Sequence, residues 1–132
     1  MKKIFYAAFL MLSLSALCTS CSKMGGGDKL DDRLVGTKWQ CKDPVHQMFY
    51  GGTCYQVYEF ISTTEVELYT TRNGVVDDSD GTLTYTLNYP KIVIDNIDSD
   101  GNKKPTSYTF EDSRTMVRDG AENGYYSKYI KQ

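Results

Sequence analysis

The sequence has a single histidine, no excess of basic residues and no apolar run long enough to span a membrane. Its 132 residues allow one domain. With 15 Lys and Arg against 17 Asp and Glu, the formal charge of −2 lacks the basic surface that nucleic-acid binding requires. A Ser-His-Asp or Cys-His arrangement would have to use His46. No serine stands in a strand–turn–helix elbow, so the sequence predicts a non-enzyme in which His46 is a solvated loop residue.

Residues 1–20 have the features of a secretory signal peptide. Lys2 and Lys3 precede an apolar run over residues 4–17. This run is shorter than the about 20 residues that a membrane-spanning helix needs. We therefore predict that residues 1–20 are removed and play no part in the fold.

The segment after the apolar run carries a more specific signal. In residues 17–22 (LCTSCS), the small residues Thr19 and Ser20 precede Cys21. This pattern resembles the lipobox of bacterial lipoproteins. The resemblance implies cleavage before Cys21, addition of a diacylglycerol to its thiol, and acylation of the new amino group with a chain such as palmitate. The implied location is the cell envelope, at the outer membrane of a Gram-negative bacterium, with the periplasmic and surface faces both open. Ordinary signal cleavage, giving a soluble secreted protein, is the alternative.

Of the four cysteines, Cys18 lies in the predicted signal peptide and Cys21 is the predicted lipidation site. The other two are Cys41 and Cys54. A pair of cysteines in an oxidising compartment predicts a disulfide. By alternation along their strands the two side chains would face the same side of a hairpin. A metal pair with His46 or a redox dithiol is the alternative, but CxxC spacing and a third cysteine are lacking.

From about residue 34 onward, apolar and polar residues alternate with a period of two, which is typical of half-buried antiparallel strands. Residues 82–89 (TLTYTLNY) show the pattern over their whole length, and Gly pairs, Asn-Gly and Asp-Gly dipeptides supply turns between such segments. No segment has a capped helical period, and residues 28–34 offer only a turn. We predict eight strands over 36–42, 53–61, 64–72, 82–89, 91–96, 106–111, 114–118 and 124–131.

Eight short strands paired in sequence would leave two unpaired edges in an open sheet, whereas closure into a barrel removes both. The predicted fold is therefore all-β, an eight-stranded antiparallel up-and-down barrel. We expect a signal peptide over 1–20, a lipidated cysteine and flexible tether over 21–33, and the barrel over 34–132. The Gly-rich composition of residues 22–29 (SKMGGGDK) favours the tether.

Residues 34–39 (LVGTKW) resemble the opening of bacterial lipocalin-like domains, in which Gly and Trp mark the first strand. Segments 58–60 (YEF), 81–85 (GTLTY) and 91–94 (KIVI) and a Tyr-rich last strand fit as well. The resemblance covers roughly residues 34–131. It implies an up-and-down barrel and, in many members, a pocket for a small molecule.

The interior of such a barrel supplies the candidate binding residues. An eight-stranded bore is either filled by side chains or wide enough for one small ligand. The first hypothesis is a barrel that binds a small, partly apolar ligand, and the second is a filled barrel that acts as an interaction or assembly module in the envelope. The residues that would line a pocket or form the core are Trp39, Gln56, Tyr58, Phe60, Tyr85, Leu87, Tyr108 and Phe110.

Two further kinds of segment have the composition of possible sites. The acidic stretches 77–81 and 98–102 lack the bidentate carboxylate at the twelfth position that a calcium loop requires, so no metal and no cofactor is expected. Residues 45–50 (VHQMFY) are more apolar than a hairpin loop needs. They would form a lid over the barrel mouth, touch a partner, or pack as a satellite of the core.

Overall fold

The structure is a computed structural model that describes residues 30–121 and 124–132. The chain divides into a unit over Met1–Leu30 and a compact unit over Asp31–Gln132. The predicted signal peptide, Cys21 and most of the tether lie outside the described residues. Among the described residues, none of the helical structure is long and apolar enough to cross a membrane.

The described residues form a closed antiparallel barrel in which each strand pairs with its sequence neighbours, and β1 pairs with β8. This confirms the predicted all-β, up-and-down fold, and it is compatible with the lipocalin-like architecture that the resemblance implies. The strands are β1 (Lys38–Lys42), β2 (Cys54–Phe60), β3 (Glu65–Arg72), β4 (Val75–Asn88), β5 (Lys91–Ile97), β6 (Lys103–Asp112), β7 (Thr115–Arg118) and β8 (Lys128–Lys131).

Along the strands, every second side chain points into the barrel. In β2, for example, Tyr58 and Phe60 are buried in the core while Glu59 between them faces outward. Aromatic rings fill much of the interior, with Trp39 against Phe110 and Phe60 against Tyr85 in edge-to-face contacts. The core consists of Leu34, Trp39, Tyr58, Phe60, Val66, Leu68, Leu83, Tyr85, Ile92, Ile94, Tyr108, Phe110, Met116 and Tyr129.

Strand β4 begins earlier than the sequence predicts. The sequence predicts a turn at Asp80-Gly81 and a strand that starts at residue 82, but the strand begins at Val75 and includes both residues. Leu68 pairs with Gly81 and Tyr69 with Ser79, so Asp80 is the extra residue of a β-bulge. Gly81 has φ 86°, a left-handed conformation that glycine adopts without steric cost. The Asp-Gly pair thus bends a strand here instead of ending one.

The helix between β1 and β2 is a second correction, because residues 44–50 were predicted as a loop. Helix α1 covers Pro44–Tyr50. Asp43 caps it by accepting a hydrogen bond from the backbone N–H of His46 at 2.9 Å, and Pro44 takes a position whose missing N–H costs nothing. These two residues start the helix. No residue of α1 is buried, and Met48, Phe49 and Tyr50 are largely exposed.

Candidate functional site

The end of the barrel at which β1 leads into α1, here called the open end, holds a cavity of about 210 Å³. An adjoining cavity of about 410 Å³ shares Gln56 and Leu68 with it. Polar and charged side chains surround both, and core residues form the base. The first is lined by Gln56, Tyr58, Leu68, Asn96, Lys104, Thr106, Tyr108, Arg118, Tyr126 and Tyr129, and the second by Gln56, Leu68, Asp80, Leu83, Ile97 and Asp98.

Three tyrosine rings form the floor of the open end. The ring centroids of Tyr58 and Tyr129 lie 4.9 Å apart, those of Tyr108 and Tyr129 5.7 Å, and those of Tyr58 and Tyr108 6.0 Å. These are tilted and edge-to-face contacts, the arrangement that the ring quadrupoles favour. All three side chains are at most 2% exposed. The floor is therefore a rigid layer that separates the open end from the core below.

The hydroxyl groups of this floor are held by hydrogen bonds. Tyr58 donates to Asn96 Oδ1 at 3.1 Å, its hydroxyl lies 3.2 Å from that of Tyr108, and Tyr129 donates to Gln56 Oε1. Among the described residues, every buried side-chain nitrogen or oxygen has such a partner. Burial raises the pKa of all three tyrosines, with Arg118 opposing the rise for Tyr58 and Tyr108. They consequently stay neutral at physiological pH and present hydroxyl groups to anything that enters.

The charges at the open end are segregated. Lys104 and Arg118 lie at the first cavity, on β6 and β7, whereas Asp80 and Asp98 lie at the adjoining one. Burial, reinforced by the neighbouring carboxylates of Asp78 and Asp43, raises the pKa of Asp80. One side of the mouth thus favours an anionic group and the other a cationic one.

Asp43 connects α1 to the wall of the open end. It is 5% exposed, and besides capping the helix its Oδ1 accepts a hydrogen bond from the Tyr126 hydroxyl at 2.5 Å. Burial and this carboxylate together raise the pKa of Tyr126. The buried charge is thereby satisfied, and the segment before β8 is fixed beside α1.

His46 belongs to a polar cluster at the edge of α1 and not to a solvated loop. Its Nε2 lies 2.6 Å from Asp77 Oδ2, and Arg72 donates to Asp77 Oδ1 at 3.3 Å. The hydrogen bond with His46 is the main cause of a lowered Asp77 pKa, with Arg72 adding to it. Arg72 also donates to the Tyr50 carbonyl, so the cluster joins α1 to the β3–β4 hairpin.

The predicted binding residues divide between the open end and the packed interior. Gln56, Tyr58 and Tyr108 line the open-end cavity. The other predicted positions belong to the core or pack against it: Trp39, Phe60, Tyr85, Phe110 and the half-buried Leu87. Trp39 and Phe110 also border a cavity of about 190 Å³ at the opposite end, where Arg33 lies 3.9 Å above the Tyr89 ring.

Sequence reasoning missed Asn96, Arg118 and Tyr129 as parts of the site. Alternation could have found the first two, because Asn96 follows Ile92 and Ile94 on the inner face, and Arg118 follows Met116. Tyr129 lay within the predicted last strand, whose inward face was not assigned. Lys104 pairs with Asn96 in the β5–β6 register, which places a cation at the mouth.

The predicted bond between Cys41 and Cys54 is not formed in the structure, where both thiols are free. Cys41 is paired with Gln56, and Cys54 lies two residues before Gln56, at the start of β2. Such diagonal neighbours are about 7–8 Å apart, whereas a disulfide needs Cα atoms roughly 4.4–6.8 Å apart. Burial raises the pKa of both thiols, which keeps them protonated.

Among the residues that the structure describes, no group of three or more His, Cys, Asp or Glu side chains is placed to hold a metal ion. Comparisons of the chain with known protein families, with curated proteins and with solved structures gave no significant match.

Proposed function

We propose that this protein is a lipid-anchored lipoprotein of the bacterial cell envelope whose barrel binds a small ligand at the open end. The observation that carries the proposal is a cavity above a floor of three buried tyrosines, which is also lined by Arg118. A purely structural barrel would gain more from apolar side chains at these inner positions, since each buried hydroxyl needs a partner.

The chemistry of the lining describes the ligand. Leu68 and Leu83 offer apolar contact, while Gln56 and the tyrosine hydroxyls offer hydrogen bonds. Lys104 and Arg118 would attract an anionic group. The adjoining cavity, of about 410 Å³, falls in the lower part of the roughly 300–1,000 Å³ range of small-molecule sites, and the first cavity extends it by a smaller space of about 210 Å³. The ligand is therefore a small, partly apolar molecule with a polar or anionic end.

The location rests on the sequence. The lipobox-like residues 17–22 support acylation at Cys21, and residues 22–29 have the composition of a flexible tether. Two or three acyl chains hold a protein on a membrane where a single chain does so only marginally. We place the anchor in the outer membrane of a Gram-negative bacterium.

Substituting Arg118→Ala tests the site. The full-length protein is purified from its own membranes and denatured, and the released small molecules are compared by mass spectrometry. We expect the wild type to release a ligand and the variant to release at least about tenfold less of it. The reason is that a charge-assisted hydrogen bond stabilises binding by about 1.5–3 kcal/mol. Arg114→Ala is the matched control, since this exposed arginine lies between β6 and β7 and away from the cavity. Equal release from all three proteins would contradict the proposal.

A filled barrel that acts as an interaction module is the second candidate. One observation favours it: Met48, Phe49 and Tyr50 are consecutive on α1, and 75%, 75% and 61% of each side chain is exposed. Contiguous exposed apolar residues mark contact surfaces. If the wild type releases no small molecule, this candidate takes precedence.

A further inference from the structure

A second concave surface lies on the outside of the barrel, across β1, β2, β3 and the start of β4. Its volume is about 460 Å³. Alternation puts two cross-strand rows of outward residues on its floor. We call it the outer groove, and its lining residues are Lys38, Gln40, Thr53, Tyr55, Val57, Tyr69, Thr71, Asn73, Gly74, Val76 and Gln132.

The rows follow from the strand register. Val57 pairs with Gln40 on one side and Tyr69 on the other. In the next row Tyr55 pairs with Thr71, which pairs with Val76. Each row therefore combines an aromatic ring, an aliphatic side chain and an amide or hydroxyl group, and the two rows lie next to each other on one face.

The floor of the outer groove is unusually well packed for an outer face. Val57 is 1% exposed and Tyr69 8%, although both point away from the barrel interior. The Tyr69 hydroxyl donates to Glu59 Oε1 at 2.8 Å, which fixes the ring. The floor therefore keeps its shape when a ligand binds, which lowers the entropic cost of binding.

The polar groups of the outer groove are neutral donors and acceptors. Asn73 Oδ1 accepts from the Thr53 backbone N–H at 3.0 Å, and Gln40 Oε1 accepts from the Gln132 amide. With these carbonyls engaged, the side-chain amide nitrogens of Asn73 and Gln40 are left to donate. Thr53 and Thr71 add hydroxyl groups that both donate and accept.

Charge is nearly absent from this lining. Among the described residues that line the outer groove, Lys38 is the single charged one, and its Nζ lies 3.6 Å from Glu59 Oε1. An ionic ligand would find no free counter-charge there, and a purely apolar ligand would leave the amides without partners. A ligand with apolar C–H faces and many neutral hydroxyl groups satisfies both the rings and the amides.

We propose that the outer groove binds a neutral saccharide. The half-buried ring of Tyr55 contacts the C–H face of a sugar ring above the fixed Tyr69, and the amides of Gln40 and Asn73 bind its hydroxyl groups. Among the described residues, the outer groove shares no lining residue with the two open-end cavities. This site is separate from the one proposed above, and the two can be tested independently.

The test is calorimetric titration of the full-length protein with cellohexaose, maltohexaose and mannohexaose. The protein is kept in a zwitterionic detergent, because a detergent with a sugar headgroup would compete with the probe for the outer groove. At least one probe is expected to bind, and Tyr55→Ala is expected to weaken it at least about tenfold, because a sugar ring loses its aromatic contact. Gln40→Ala, which removes an amide from a half-buried position, is expected to weaken it several-fold and serves if Tyr55→Ala does not fold.

Two controls separate this site from the rest of the protein. Tyr125→Ala removes a tyrosine that is 72% exposed elsewhere, and it should leave the affinity unchanged. Arg118→Ala should bind the probe as the wild type does, since Arg118 lines the open end. The proposal is overturned if no probe binds at millimolar concentration, if Tyr55→Ala and Gln40→Ala both bind normally, or if Arg118→Ala abolishes binding.

Discussion

Replacing Phe60 by alanine is expected to lower the free energy of unfolding by about 3–5 kcal/mol. Phe60 is 0% exposed, and its ring packs edge-to-face on Tyr85 with centroids 4.9 Å apart. Its cross-strand partner Val66 is also fully buried. The cavity left by the ring cannot close, because the backbone around it is fixed: Phe60 N–H bonds to the Thr37 carbonyl and Gly36 N–H to the Phe60 carbonyl. Urea unfolding followed by circular dichroism measures the loss.

Phe49→Ala is the matched control for this substitution. Phe49 lies on α1 with 75% of its side chain exposed, and surface substitutions change stability by no more than about 0.5 kcal/mol. The same chemical change should therefore be severe at one phenylalanine and almost silent at the other. Similar losses at both positions would show that the interior of the barrel is not where the structure places it.

The second large effect is expected at Cys21. Cys21→Ser should abolish acylation and move the protein from the membrane fraction to the soluble fraction. Each buried methylene of an acyl chain contributes about 0.8 kcal/mol, so the loss of two or three chains removes essentially all membrane affinity. Fractionation after a carbonate wash measures the distribution, and mass spectrometry of the intact protein measures acylation.

Cys18→Leu provides the control for Cys21→Ser. In lipoproteins that the segment resembles, leucine is usual at this position, so the variant should be acylated and membrane-bound like the wild type. If Cys21→Ser stays in the membrane fraction after the wash, or if the wild type carries no acyl chain, the lipoprotein proposal fails.

The strands could be predicted because alternation reports burial directly. Leu83 and Tyr85 of the β4 pattern and Ile92 and Ile94 of β5 are all in the core. Barrel closure followed from the argument about unpaired edges, and the pairing of Gln40 with Ile130 bears it out. These inferences succeed because successive side chains of a strand point to opposite faces, so that every second residue faces the interior.

Local turn chemistry was a less reliable guide. Asp80 and Gly81 have the composition of a hairpin turn, yet they form a bulge within β4, because glycine suits both structures. Helix α1 is too short to show a period, although Asp43 and Pro44 were start signals that could have been recognised. Short elements depend on what surrounds them, which a single sequence does not display.

The candidate site depended on register, which is harder to infer than strand position. Gln56 and Tyr58 could be placed inside the barrel from alternation, but alternation does not show that they bond to Tyr129 and Asn96, which come from distant strands. The same limit applies to the expected disulfide, since only the actual register shows that Cys41 and Cys54 are diagonal neighbours. The sequence does not predict the outer groove, because its buried residues Val57 and Tyr69 lie on the outer face, which alternation assigns to solvent.

Both proposed sites rest on a ring of strands that closes where β1 meets β8. The direct test is an NMR study of the isotope-labelled protein at this seam. The structure predicts nuclear Overhauser contacts between Trp39 and Lys131 and between Gln40 and Ile130. It also predicts slow hydrogen exchange for the Gln132 amide, which bonds to the Lys38 carbonyl at 2.9 Å. A fully assigned spectrum without these contacts, and with fast exchange along β1 and β8, would contradict the closed barrel.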